Sequence, residues 1–109
     1  MLEATLERRL KFGVERLGGR ARKLPAHLYK GIPDRGLFYP TALLHFVELK
    51  KPRGSRFEHN QETKHAQLRA MGFRVFVLYT PEQVDDYLAQ TARVIEARRS
   101  VWQHLEKLQ

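Results

Sequence analysis

Cysteine is absent from all 109 residues. Disulfides and thiolate-bound zinc are therefore excluded, and a reducing cytosolic life is compatible with the composition. Long apolar runs are missing too: the longest are strand-sized, and none is predicted to span a membrane. The opening Met1-Leu2-Glu3 brings in acid at once and lacks the charged-then-apolar layout of a secretion signal. There is no Gly-x-x-x-x-Gly-Lys phosphate loop, no dinucleotide fingerprint and no Gly-x-Ser-x-Gly nucleophile. The five histidines do not make a zinc site, because His59 and His65 stand six apart and no second pair has ligand spacing. Acid is the minority charge, with twelve Asp and Glu against twenty Lys and Arg and a net charge of +8. That excess suits a polyanionic partner, nucleic acid ahead of a membrane surface, with plain solubility as the bland alternative.

What is present centres on Phe46-Val47-Glu48-Leu49-Lys50. Five of the seven residues from Leu43 to Leu49 are apolar and a turn signal follows at Lys51-Pro52-Arg53-Gly54, so the spacing predicts a buried strand ending at Lys50. Alternation puts Leu44, Phe46, Glu48 and Lys50 on one face and Leu43, His45, Val47 and Leu49 on the other. A carboxylate and an ammonium at the end of an apolar face need partners. Asp34 is the candidate, bracketed by Gly31, Pro33 and Gly36 in a turn. The strand Leu37-Phe38-Tyr39 after it is predicted to run antiparallel to the first across Pro40-Thr41, bringing Asp34 to the Glu48 end. Two carboxylates and a lysine at one strand end can hold a hard divalent cation for phosphodiester hydrolysis.

In chain order, residues 2–17 read as an amphipathic helix with Leu2, Leu6, Leu10, Val14 and Leu17 on one arc. Glu3 falls inside that arc and Glu7 just past its edge. Gly18-Gly19 ends the helix. Arg20 to Leu24 reads as a short strand and leads into a basic loop, making Arg20, Arg22, Lys23, Lys30 and, in the turn itself, Arg35 candidates for contact with a phosphate backbone. Asn60 is a candidate cap for a second helix, whose first turn sets Gln61 near the top of the sheet, where its amide can bond a carboxylate, a water or a phosphate. Phe73 to Tyr79 reads as a strand buried on both faces. A helix joins it to the Glu48 strand, so the two are expected to be parallel. Thr80-Pro81-Glu82-Gln83 starts a last helix that runs nearly to the C-terminus, with a kink near Arg98-Arg99-Ser100 as an option.

Taken together, the helix acid, Gly-Gly, the basic segment ending in Lys23, Gly31-Ile32-Pro33-Asp34-Arg35, Glu48-x-Lys50, Gln61 and Leu68-Arg69-Ala70-Met71-Gly72-Phe73 before an apolar strand resemble the VRR-NUC domain. This is the virus-type replication and repair nuclease branch of the PD-(D/E)xK superfamily. The resemblance runs from about Glu3 to about Tyr87; the loop Pro52–Asn60 departs from the commoner form. It implies an α/β, restriction-endonuclease-like core: a mixed central sheet flanked by helices in the order α-β-β-β-α-β-α, one domain over residues 1–109 with 90–109 as a C-terminal helical extension. It also implies Asp34, Glu48 and the Leu49 carbonyl as metal ligands, with Glu3 as the helix-borne acid and Glu7 as runner-up. Lys50 is implied to activate the attacking water and stabilise phosphate charge, and Gln61 to organise the site. The implied cofactor is Mg²⁺ or Mn²⁺, and the implied partner is branched DNA in the cytoplasm of a bacterial or phage-infected cell.

Two functions remain in view: a metal-dependent, structure-selective DNA endonuclease, and a non-catalytic DNA-binding or assembly module on the same fold. The intact Asp34, Glu48 and Lys50 favour the first. The apolar stripe Val94, Ile95, Val101, Trp102, Leu105 and Leu108 continues beyond the resemblance and predicts a homodimer; the alternative is a helix that bends back at Arg98 onto its own subunit.

Overall fold

Leu6, Leu10 and Val14 recur at helical spacing, and all three are buried to 1% exposure or less. They belong to α1 (Glu3–Arg16), whose C-terminal turn closes with Gly18 at φ +86° and the Gly19 N–H on the Val14 carbonyl at 3.0 Å. That reach of five residues back, through a left-handed glycine, stops a helix without leaving its last carbonyls bare. The structure is a computed structural model that describes residues 3–25, 30–50 and 59–108, with backbone only for Glu3, His59 and Asn60. The predicted cation-binding turn and strand lie inside that range, whereas most of the Pro52–Asn60 loop lies outside the described residues.

After α1 come β1 (Arg20–Lys23), β2 (Arg35–Tyr39), β3 (Leu43–Leu49), α2 (His59–Ala70), β4 (Arg74–Leu78) and α3 (Pro81–Glu106), a 3-10 turn at Pro40–Ala42 joining β2 to β3. The α-β-β-β-α-β-α order is the expected one. The sheet order is β1-β2-β3-β4. β1 and β2 pair antiparallel with Arg20 opposite Phe38, and β2 and β3 antiparallel with Arg35 opposite Val47. β3 and β4 pair parallel with Glu48 opposite Val77, as a helical crossover requires. One face of the sheet, through Leu37, Tyr39, Val47, Leu49 and Leu78, packs with α1 and α3 in a single core. The other face carries Phe46 and Glu48, with α2 packed beside β4.

Three expectations are corrected. β4 stands at the edge of the described sheet, and only Val75 and Leu78 of its five residues are buried, with Arg74 exposed. Its apolar run reflects partial cover by a helix on each face, not a fully buried strand. The last helix has no break at Arg98: α3 is continuous over 26 residues. Its start is as predicted, with Thr80 Oγ1 accepting the Gln83 N–H at 3.1 Å and Gln83 Oε1 accepting the Tyr79 N–H at 2.6 Å. α2 begins at His59, so Asn60 falls inside the helix and not ahead of it.

Candidate active site

Strand register assembles the site. With Arg35 opposite Val47, the next step along the hairpin sets Asp34 against Glu48, and the Leu24 N–H on the Asp34 carbonyl at 2.9 Å extends the β1–β2 ladder to the same level. The Asp34 N–H donates to Glu48 Oε1 at 3.0 Å. From the first turn of α2 that the side chains describe, Gln61 Nε2 donates to Glu48 Oε2 at 3.2 Å, while its Oε1 accepts from Lys50 Nζ at 3.0 Å. Lys50 Nζ also lies 3.5 Å from Glu48 Oε2. The structure thus brings Asp34, Glu48, Lys50 and Gln61 together at the strand end.

A second layer lies behind Asp34 on the α1 side. Arg35 is only 6% exposed and forks between two acids, Nη1 at 2.9 Å from Asp34 Oδ2 and Nη2 at 3.0 Å from Glu7 Oε1. Lys23 reaches the same Glu7 oxygen at 3.5 Å. Arg35, a candidate for contact with DNA phosphate, is buried and has both carboxylates on its guanidinium. Glu7, at the rim of the α1 apolar arc, is tied to the site through this guanidinium. The Glu3 side chain lies outside the described residues. The missed signal was alternation: the residue after Asp34 must point to the opposite face, where α1 lies.

Electrostatics follow from this packing. Burial, and next the charge of Asp34, raise the Glu48 carboxyl above its ordinary value, against the opposing pull of Lys50 and the Asp34 N–H. Burial would raise Glu7 as well, but Arg35 and Lys23 outweigh it and hold that carboxyl low. Desolvation works against the Arg35 charge, and Asp34 and Glu7 overcome it. Hard oxygen donors whose like charges face each other at a strand end fit a hard divalent cation, which would relieve the repulsion that raises Glu48. Among the described residues no group of three or more His, Cys, Asp or Glu is placed to hold a metal. Asp34 and Glu48 alone suit an ion that keeps most of its waters.

Of the remaining basic candidates, Arg20, Arg22 and Lys30 are exposed. Register places Arg20 and Arg22 on the Glu48 face, across from Phe38 and Gly36, and Lys23 on the α1 face across from Arg35. The basic segment is therefore split between the two faces of the sheet.

A mixed sheet whose third strand ends in Glu48-Leu49-Lys50 beside a turn-borne aspartate defines the PD-(D/E)xK class of nuclease folds. No family model matches the chain. Over 76 residues it is 37% identical to "Putative nuclease p44" of Acyrthosiphon pisum secondary endosymbiont phage 1, a match covering 70% of this chain and 81% of that protein. A solved structure named "VRR_NUC domain" is similar at a TM-score of 0.73 and 32% identity, covering 80% of this chain and 94% of that one. The chain belongs to the VRR-NUC family of nuclease domains.

Proposed function

We propose that this chain is a divalent-metal-dependent DNA endonuclease acting on branched DNA such as a flap or a four-way junction, as a homodimer, in the cytoplasm of a bacterial or phage-infected cell. The observation that carries the chemistry is the Glu48 carboxylate, 6% exposed and shared among the Asp34 N–H, the Gln61 amide and Lys50. Asp34, Glu48 and the Leu49 carbonyl would hold Mg²⁺ or Mn²⁺. Bound there, the ion supplies Lewis-acid charge at the phosphate and lowers the pKa of water. Gln61 accepts from Lys50 and donates to Glu48, so it fixes both groups at once. Lys50 thereby presents its ammonium where negative charge develops on the phosphate and where an attacking water must be oriented. Arg35 holds Asp34 in rotation from behind, and Glu7 holds Arg35. Exposed Arg20, Arg22 and Lys30 attract the DNA backbone. The exposed apolar stripe of α3 supports the dimer, which would supply two sites to a two-fold junction.

Labelled single-stranded, duplex, flap, splayed and four-way-junction DNAs, incubated with Mg²⁺, Mn²⁺ or EDTA, test the reading. Cleavage is expected with either metal, strongest on branched DNA, and none with EDTA. Asp34→Asn and Glu48→Gln should each lower the rate about 100-fold or more and weaken metal binding, with the fold retained. Lys50→Ala should lose comparable activity while still binding metal. DNA binding without cleavage under every condition would establish the non-catalytic module instead.

A further inference from the structure

Past the site, the sheet face that carries Glu48 is closed over Gly36 and open at Phe38. On it Asp34 is followed along β2 by Gly36 and Phe38, and Glu48 is preceded along β3 by Phe46 and Leu44, with Gly36 opposite Phe46 and Phe38 opposite Leu44. Phe46 is closed off by the edge of Phe73, ring centroids 5.5 Å apart. Phe38 is not: half of it is exposed. Arg20 stands directly across from Phe38 and Arg22 directly across from Gly36, both exposed. Over Gly36 the point a Cβ would occupy lies 3.5 Å from both Phe38 Cε2 and Leu24 Cδ2, so the ring leans along the strand toward Asp34 with Leu24 lining the way between them. Four strand residues span about 13 Å, a few nucleotides.

A half-exposed aromatic ring with two exposed arginines on the neighbouring strand, on the surface that leads into a phosphodiester site, matches one ligand chemistry: unpaired nucleotides. Their bases stack on an aromatic face while arginines hold the phosphates, and a paired base offers no free face to such a ring. We propose that Phe38 is a base-stacking platform for a single-stranded segment of the DNA, with Arg20 and Arg22 on its backbone, set to deliver that strand to Asp34 and Glu48. This rests on the nuclease reading for the nature of its ligand. It deepens that reading by making unpaired nucleotides on one side of the cut the feature of branched DNA that is recognised.

The test uses the full chain in EDTA, so that nothing is cut, and an oligonucleotide carrying 2-aminopurine, whose fluorescence is quenched on stacking. Wild-type protein should quench single-stranded probe. Phe38→Leu should abolish the quench and weaken single-strand affinity roughly five- to a hundredfold relative to duplex of the same sequence, while Phe38→Trp should retain both. Neutralising Arg20 and Arg22 together should flatten the slope of log K against log salt by about one to two. Quenching that survives Phe38→Leu, or an equal loss for single strand and duplex, overturns the platform. Failure of Phe38→Trp and Phe38→Tyr to bind overturns it as well, since both keep the ring. The two readings fail separately: a protein that quenches but never cleaves removes the nuclease, and one that cleaves branched DNA indifferently to Phe38→Leu removes the platform.

Discussion

At the scale of single residues, one buried polar group stands apart from the Asp34–Glu48 site on the opposite face of the same strand: His45, 4% exposed. His45 Nδ1 shares a hydrogen bond with the Tyr87 hydroxyl at 2.8 Å, which in turn meets the Tyr39 hydroxyl at 2.8 Å. Burial, with a further push from the charge of Arg74, lowers His45 to about 4 from an ordinary 6.5. The folded chain therefore resists a proton that the unfolded chain accepts, and stability present above about pH 6.5 is lost as pH falls toward 4. The loss is expected to reach about 3 kcal/mol. Urea unfolding of wild type and His45→Asn between pH 7 and pH 4 checks it: the variant should be less stable at pH 7 yet flatter across the window. Parallel curves would place the acid sensitivity elsewhere. The same residue shows what sequence could reveal. Alternation set His45 on the face opposite Glu48, where the structure has it, but nothing local names that face as the core or Tyr87, 42 positions away, as its partner.

At the scale of elements, legibility was uneven for a physical reason. Helix stops, the Thr80 cap, the hairpin and the parallel crossover are written in nearby residues and were readable. Alternation turns Arg35 away from the face of Asp34, but its meeting with Glu7 and the place of β4 at a sheet edge depend on which element packs on which, which local periodicity does not encode. The β2–β3 link is a case of its own. Thr41 and Ala42 both have positive φ, 65° and 58°, where glycine or asparagine is usual. Arg98 from α3 holds this turn, Nη2 to the Thr41 carbonyl at 2.7 Å and Nε to Thr41 Oγ1 at 3.2 Å. The turn sets the register that pairs Arg35 with Val47 and so puts Asp34 against Glu48; a one-residue slip would turn the site away from its face. Ala42 is exposed, so Ala42→Gly should relieve its backbone without loss of packing and stabilise by about 1 kcal/mol. Arg98→Ala should destabilise by about 1–3 kcal/mol. Urea midpoints for both variants decide it, and an Ala42→Gly variant no more stable than wild type would mean the turn carries no strain.

For the whole molecule, the long axis of 48 Å against 28 and 19 Å is informative. A 26-residue helix is about 39 Å long, and the core it covers ends at Ile95, 3% exposed and the last buried residue of α3. Beyond it the helix runs on with Val101 65% and Leu105 48% exposed, and Leu108, in the turn just past its end, is 82% exposed. With Val94, itself 42% exposed, and Arg98, these residues recur at alternating steps of four and three, the spacing of a helix-pairing seam. Ile95, included in the apolar stripe at the outset, is spent on the core instead. Past Arg98, which meets Thr41 of its own chain, the exposed stretch through Val101 and Leu105 is best buried against the same stretch of a second copy, because two-fold symmetry makes one surface complementary to itself. Val94 and Arg98 also line a groove of about 790 Å³ between α3 and β4, so the contact can continue from the helix onto the sheet edge. Light scattering at micromolar concentration should give about twice 12.8 kDa. Val101→Glu or Leu105→Glu should bring the mass to that of one chain with helix content unchanged, since both residues lie outside the core. A wild-type mass of one chain would remove the dimer and with it paired incision by a single assembly, leaving each site to cut on its own.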